Sequence, residues 1–123
     1  MAWDLVSDRP IFLQIVERIQ MDIISGKYKP GDKLPSVRDL AGEASVNPNT
    51  MQKAFAELER DGLVYSQRTA GRFITEDTVM IQNLKTSLAK EKIAEFIALM
   101  QKFGFSNDEI LSLIDQTIKG EAS

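Results

Sequence analysis

The sequence predicts a mostly α-helical protein with a small β-hairpin, built as an N-terminal winged helix-turn-helix followed by a C-terminal two-helix tail. Three observations predict this fold class. Three segments with helical spacing of apolar residues come first, two short alternating segments follow them, and the last third of the chain is helical again. The order helix, helix, tight turn, helix, hairpin is that of a winged helix-turn-helix. We therefore expect two domains, residues 1–76 and 77–123, with a hinge near Glu76-Asp77.

The first helix is predicted from about Pro10 to Ser25. Apolar residues recur there at three- and four-residue steps, Asp8 is placed to cap the start, and Gly26 is a stop signal. Pro30-Gly31 predicts a turn, after which Leu34 is expected to form a strand of one or two residues.

The next two helices carry clear start signals. Ser36, followed three residues later by Asp39, resembles a capping box and opens a short second helix. Asn47 is a favoured cap residue and Pro48 a favoured first residue. The third helix is therefore expected to begin here and to end near Arg60.

The hairpin and the tail complete the chain. Alternating residues predict strands over 63–67 and 72–75, joined by a turn. A long helix is predicted over 78–103 and ends at a glycine. Ser106 and Glu109 then form a capping box that opens the last helix.

The composition excludes several classes of function. The chain has no cysteine and no histidine, which removes thiolate zinc sites and the commonest general base. We expect no enzyme, no cofactor and no metal, with Glu57 and Glu59 on a solvated helix face and Asp108-Glu109 at a helix start. No apolar run reaches the roughly 20 residues that cross a bilayer, and the start has no signal-peptide pattern. We therefore expect a cytoplasmic protein without a membrane partner.

The net charge of −3 is unevenly distributed along the chain. Residues 1–75 carry ten basic and ten acidic residues, whereas residues 76–123 carry five basic and eight acidic ones. The first part is neutral, and its basic residues can gather on one face. Nucleic-acid binding by this part is therefore compatible with the charge.

Polar residues at the start of the third helix are the first candidate nucleic-acid contacts. In a helix-turn-helix, the N-terminal residues of the recognition helix face base edges in the major groove, and Asn or Gln can pair bidentately with adenine. The alternative is that this segment is only a helix cap. The candidates are Asn49, Thr50, Gln52 and Lys53.

Two further groups of residues suit DNA. Ser36 and Arg38 lie at the start of the second helix, where a hydroxyl and a guanidinium can bind a phosphate or a guanine edge. The alternative is a surface arginine paired with a nearby aspartate. The hairpin turn carries Arg68, Gly71 and Arg72, which suit a minor groove. The alternative here is an ordinary solvated turn.

Residues 9–75 resemble the DNA-binding domain of the GntR family of bacterial regulators, and the short tail is similar to that of the YtrA subfamily. The resemblance is carried by the stretches 10–15 (PIFLQI), 26–38 (GKYKPGDKLPSVR), 47–51 (NPNTM), 57–64 (ELERDGLV) and 71–74 (GRFI).

The resemblance implies roles for matched residues. It implies that the wing-tip Gly71 enters the minor groove, while Lys53 and Arg68 are expected to contact phosphates. Several branches of the family read a base with an arginine where this chain has Pro48. Base reading here must therefore shift to other residues or to DNA shape. The implied contacts of the two helices are Ser36, Arg38, Asn47, Asn49, Thr50 and Gln52.

The function that the resemblance implies is sequence-specific regulation of transcription. Proteins that resemble this chain often repress their own operon, which often includes an ABC transporter, so a repressor bound to a double-stranded DNA operator is expected. The residues identify no small-molecule effector. The alternative is a winged-helix module for protein–protein interaction without specific DNA binding, which the negative charge fits. Salt dependence distinguishes the two, because DNA binding weakens steeply with salt.

The tail is expected to form a homodimer. A lone helical hairpin cannot bury both of its apolar sides, and a second copy is the simplest partner. A dimer would place two reading heads on a pseudo-palindromic site. The alternative is that the tail folds back on its own winged domain. The expected interface residues are Ile81, Leu84, Leu88, Ile93, Phe96, Ile97, Met100, Ile110, Leu113 and Ile114.

Overall fold

The computed structural model describes residues 3–120 and confirms the mostly helical winged helix-turn-helix. The chain divides into two compact units, Met1–Leu84 and Lys85–Ser123, so the fourth helix begins in one unit and ends in the other. In chain order the elements are α1 (Ile11–Ile24), α2 (Val37–Ala44), α3 (Pro48–Arg60), β1 (Val64–Gln67), β2 (Gly71–Ile74), α4 (Thr78–Lys102) and α5 (Asn107–Ile118).

The start of α1 differs from the prediction. Asp8 is not its cap: the cap position is Pro10, which has no side-chain acceptor to offer the helix. Instead, the Gln14 side chain holds the preceding chain, which we call the N-terminal arm (residues 3–9). Its Oε1 accepts from the Val6 amide at 2.8 Å, and its Nε2 donates to the carbonyls of Val6 and Arg9 at 2.7 and 3.0 Å. The arm is thus fixed by a helix side chain rather than by a cap.

The core of the first unit lies between α1, α2, α3 and the hairpin. It combines apolar residues at helical spacing with residues of the hairpin, and the largest of them are almost fully buried. Met80, Ile81 and Leu84 of α4 pack against the same core. The most buried large residues are Ile15, Ile19, Leu40, Met51, Phe55, Leu58, Val64 and Ile74.

The tight turn between α2 and α3 fixes the direction of the third helix. Ser45 adopts a left-handed conformation with φ 60° and ψ 47°, and the Val46 amide donates to the Ala41 carbonyl at 3.0 Å. Asn47 then caps α3, because its Oδ1 accepts from the Asn49 amide at 2.7 Å, and Pro48 is the first helical residue. The predicted start of α3 is therefore confirmed.

The hairpin gains a third chain segment. β1 and β2 pair antiparallel from Val64↔Ile74 to Gln67↔Gly71. Beside β2, Lys33 forms a bridge with Phe73, and the Leu34 amide donates to the Arg72 carbonyl at 2.9 Å. The short strand expected at Leu34 is thus present, one residue earlier than predicted.

The second unit is a helical hairpin with little burial of its own. The predicted capping box is confirmed: Glu109 N donates to Ser106 Oγ at 3.2 Å and Ser106 N to Glu109 Oε1 at 2.8 Å. Ile110 is buried at 3% exposure, whereas many other apolar side chains of this unit are exposed. Within residues 3–120, none of the helices combines the length and hydropathy that a membrane span requires.

Candidate nucleic-acid interface

A groove of about 500 Å³ lies between the start of α2, the outer face of α3 and the hairpin turn. Five of the ten residues predicted to bind DNA line this one groove: Ser36, Arg38, Gln52, Gly71 and Arg72. We call it the wing groove. Besides those five, it is lined by Lys33, Leu34, Pro35, Val37, Phe55, Thr69 and Ala70.

The lining of the wing groove is cationic although the chain is acidic. It contains Lys33, Arg38 and Arg72, and no carboxylate is among its lining residues. Among the described residues, no acidic group lies within 4.0 Å of the Lys33 or Arg38 charge. The alternative that Arg38 pairs with a nearby aspartate is therefore not what the structure shows. The groove is suited to an anion.

Arg72 is held in place from the α3 side. Its Nε donates to Glu59 Oε1 at 2.5 Å, and the Ser66 hydroxyl donates to the same oxygen at 2.8 Å. The guanidinium carbon also lies 5.2 Å from the centre of the Phe55 ring. The Glu59 side chain is 32% exposed and is also paired, so the solvated face that the sequence predicted describes it only in part. It joins α3 to both strands of the hairpin.

The ionisation of Glu59 reflects this position. Burial raises the pKa of the Glu59 carboxyl, but hydrogen bonds from Arg72 and Ser66 and the Arg72 charge outweigh it, so the pKa is lowered overall. The carboxylate thus stays charged at neutral pH and holds Arg72 through the bond to its Nε.

The start of α3 presents its polar residues in two directions. Asn49, Gln52 and Lys53 are exposed. The Lys53 ammonium lies 4.0 Å from the centre of the Phe12 ring of α1, which limits its movement. Asn47 and Thr50 instead line a second groove, of about 420 Å³, next to Trp3 and Leu5 of the N-terminal arm, so they do not share the wing groove.

The hairpin turn combines an exposed cation with a glycine. Arg68 is exposed, and the turn is closed by the Ala70 amide, which donates to the Gln67 carbonyl at 3.1 Å. Gly71 has φ +106°, a conformation that L residues rarely adopt. A Cβ at this position would lie 3.0 Å from Cε of Lys33. Gly71 therefore also makes room for the Lys33 side chain.

Sequence reasoning did not single out Lys33. The sequence could have indicated Lys33, because strand residues alternate between faces. Leu34 was expected in a strand, so a buried Leu34 implies that the side chain of Lys33 lies on the opposite face. Leu34 is buried at 2% exposure, so its neighbour Lys33 is exposed on the other side. Its proximity to Gly71, however, depends on pairing between segments almost forty residues apart.

The expected interface residues of the tail fall into four groups. Ile81 and Leu84 pack against the core of the first unit, so their burial does not require a second copy. Ile93, Phe96 and Leu113 are exposed, at 54%, 40% and 36%. Ile110 is buried, and the remaining four, Leu88, Ile97, Met100 and Ile114, are half-buried.

The fold, the exposed start of α3 and the acid-free cationic groove together define a DNA-binding regulator of the winged helix-turn-helix class. The family described as bacterial regulatory proteins, gntR family, matches residues 12–74. The chain belongs to the GntR family of bacterial transcription regulators, which places it among regulators rather than enzymes.

Two curated relatives resemble most of the chain. The HTH-type transcriptional regulator YhcF of Bacillus subtilis (strain 168) is 39% identical over 114 residues, covering 93% of this chain and 94% of that protein. The HTH-type transcriptional repressor YtrA of the same organism is 41% identical over 93 residues, covering 74% of this chain and 71% of that protein. The similarity to YtrA agrees with the short tail.

Solved structures confirm the fold. A GntR family transcriptional regulator from Listeria monocytogenes is 39% identical, with a TM-score of 0.86 over 91% of this chain and 98% of that one. The DNA-binding domain of AraR, solved in complex with operator ORX1, is 30% identical, with a TM-score of 0.53 over 61% of this chain and 93% of that one. A structure with this fold thus binds operator DNA.

Proposed function

We propose that the chain is a repressor that binds a pseudo-palindromic operator of its own operon as a homodimer. The observation that carries this proposal is the wing groove, where three cations surround an acid-free space beside the recognition helix. Because chromosomal DNA is the proposed partner, the cytoplasm is the proposed location.

The start of α3 would enter the major groove and the hairpin turn the adjacent minor groove. Asn49 and Gln52 are exposed at this start and offer amide groups to adenine edges. Arg38 would bind a guanine edge or a phosphate from the start of α2, and Lys53 and Arg68 would contact phosphates. Pro48 has no group that reads a base, so Arg38, Asn49, Gln52 and DNA shape carry the selectivity.

Besides joining the hairpin to α3 through Glu59, Arg72 is proposed to contact DNA. Its Nε is bonded to Glu59, so its position is fixed before DNA arrives. A cation held this way loses less conformational entropy on binding than a free one. We assign Arg72 to the DNA surface together with Ser36, Asn47, Thr50 and Gly71, the other residues that the family resemblance or the turn composition indicates.

The homodimer is supported by the apolar residues that the second unit leaves exposed. At roughly 100° per residue, Leu84 and Ile93 lie on opposite sides of α4. Leu84 packs on the core, so the side of Ile93 remains for a partner. We therefore place the interface on the Ile93 side of α4 and on α5, and leave Ile81 and Leu84 out of it.

Repression is supported by the similarity to a protein described as a transcriptional repressor. A dimer bound over a promoter excludes polymerase without further machinery. By the same resemblance, the regulated genes are proposed to be the chain's own operon, including an ABC transporter.

The test is fluorescence anisotropy of the full chain with DNA from directly upstream of its gene, with scrambled DNA as the control, at several salt concentrations. We expect tight binding to the upstream DNA, weaker binding to the scrambled DNA, and a steep loss of both with salt. Equal, weak and salt-insensitive binding to both DNAs would contradict the proposal and favour a protein–protein interaction module.

A further inference from the structure

We propose that the wing groove receives the sugar–phosphate backbone of one DNA strand and that Lys33 is a phosphate-binding residue in it. This inference rests on the proposed function, because it assumes that α3 and the hairpin turn occupy neighbouring grooves of one duplex. It adds a contact outside the recognition helix and the turn.

The position of the wing groove determines which part of DNA it meets. One strand's backbone separates each major groove from the minor groove beside it. The wing groove likewise separates the start of α3, which contributes Gln52, from the hairpin turn, which contributes Thr69 and Gly71. When these two elements enter neighbouring grooves of the duplex, the strand between them must pass along the wing groove.

The chemistry of the lining suits phosphate. Three cations and the hydroxyls of Ser36 and Thr69 line the space, and no carboxylate does. Phosphate oxygens accept hydrogen bonds from these groups without regard to base sequence. A lysine can also bind guanine O6 and N7, but its ammonium lacks the planar paired donors of a guanidinium and binds phosphate as a compact point charge.

Backbone pairing fixes where Lys33 lies. The Leu34 amide donates to the Arg72 carbonyl, and the Ile74 amide donates to the Asp32 carbonyl at 2.8 Å, so Lys33 is held between two sheet bonds. Leu34 is buried on the inner side, which places the Lys33 side chain on the outer side. The lysine is therefore fixed at its backbone while its side chain remains exposed.

Gly71 completes the site by leaving space for the lysine. A Cβ on residue 71 would lie 3.0 Å from Lys33 Cε and 3.8 Å from its Nζ, so a side chain there would press on Cε and require the lysine to shift by a few tenths of an ångström. The Lys33 charge thus lies directly above the glycine that approaches the minor groove. This location is at the edge of that groove, where phosphates are closest to the wing.

The test compares K33Q and K33R with a matched control, K29Q. Lys29 is an exposed lysine of the same loop that does not line the wing groove. Operator and scrambled DNA are titrated with each variant across a range of salt concentrations, and thermal unfolding checks the fold. We expect K33Q to weaken binding to both DNAs by the same factor and to reduce the slope of log affinity against log salt by about 1.8, which is about 0.9 for each of the two Lys33 residues in a bound dimer. K33R and K29Q should keep the slope of the unmodified chain.

Three results would overturn the inference and can be told apart. If the unmodified chain binds neither DNA, the proposed function fails and this inference fails with it. If the chain binds its operator but K33Q keeps the full salt slope, only the Lys33 contact is wrong. If K33Q weakens operator binding and leaves scrambled DNA unaffected, Lys33 reads a base and the backbone assignment is wrong.

Discussion

Arg38 and Arg72 both line the wing groove, but their side chains are held differently. Arg72 is fixed by Glu59 and by the Phe55 ring, whereas Arg38 is exposed without an ion pair among residues 3–120. An unpaired guanidinium gives up no protein contact when it binds DNA. Arg38 is therefore the residue whose removal should affect binding without affecting the fold.

Arg38→Ala is expected to abolish selective operator binding and leave the unfolding temperature unchanged. The variant loses one charged contact in each of the two heads, at about 1–3 kcal/mol for each contact, which brings the affinity for the operator close to that for scrambled DNA. Anisotropy titration measures the affinity. Arg60→Ala is the matched control, since Arg60 is exposed, pairs with Glu57 and does not line the groove. Unchanged operator affinity in Arg38→Ala would mean that the docking face is wrong.

Glu59→Gln is expected to lower stability near neutral pH by on the order of 1 kcal/mol, because it removes the charge that holds Arg72. The pKa of Glu59 is lowered in the folded state, chiefly through its bonds to Arg72 and Ser66, which outweigh burial. Its stabilisation is therefore present above the unfolded pKa of about 4.3 and lost as pH falls through the folded value.

The measurement is urea unfolding of the two proteins between neutral and acidic pH. The stability difference should be largest at neutral pH and shrink as pH falls below about 4. Glu91→Gln, an exposed carboxylate of α4, serves as the control. A difference that stays constant down to low pH would show that the Glu59 charge does not stabilise the fold.

At the scale of elements, the sequence predicted features that depend on neighbouring residues and missed those that depend on distant residues. The caps at Ser36, Asn47 and Ser106 act over two or three residues, and the structure contains all three. Asp8 failed as a cap because the arm is held by Gln14, eight residues from Val6. Glu59 was placed on a solvated face because its partner Arg72 is thirteen residues away, across a hairpin. Contacts that depend on tertiary packing leave no local pattern in the sequence.

The long helix α4 likewise has bounds that the local sequence predicts and contacts that depend on tertiary packing. Its start and length follow from spacing and from the Gly104 break, and both match the structure. Which of its apolar residues face the core does not follow from spacing, because the apolar residues do not form one continuous stripe. Leu84 packs inward and Ile93 is exposed, a division that only the fold reveals.

The cap of α3 provides a test at this scale. Asn47→Ala should destabilise the protein by about 1 kcal/mol, because the Asn49 amide loses its acceptor, while Asn47→Ser should retain most of the stability. We expect Asn47→Ser to bind the operator more weakly than the unmodified chain, since serine restores the cap but not the amide. Thermal unfolding and anisotropy on the same samples separate the two effects. Full operator affinity in Asn47→Ser would mean that Asn47 is a cap only.

For the whole molecule, the central question is whether the second unit joins two copies. It buries Ile110 but leaves exposed Ile93, Phe96 and Leu99 of α4 and Phe103 just after it, at 54%, 40%, 47% and 64%. Four large exposed apolar side chains at three- and four-residue steps are uncommon on the surface of a monomer. Two copies in one dimer also bind two half-sites together, which raises affinity beyond that of a single head.

Ile93→Asp is expected to convert the dimer into a monomer and to weaken operator binding at least tenfold, because a charge in an apolar interface is costly and the second head is lost. Sedimentation at micromolar concentration measures the mass, and anisotropy measures the affinity. Ser87→Asp is the control, because it adds the same charge to α4 at an exposed position outside the apolar set. Leu84→Asp should instead destabilise the first unit, since Leu84 packs on its core. An unmodified chain that sediments as a monomer, or an Ile93→Asp variant that stays dimeric, would show that the exposed face has another use.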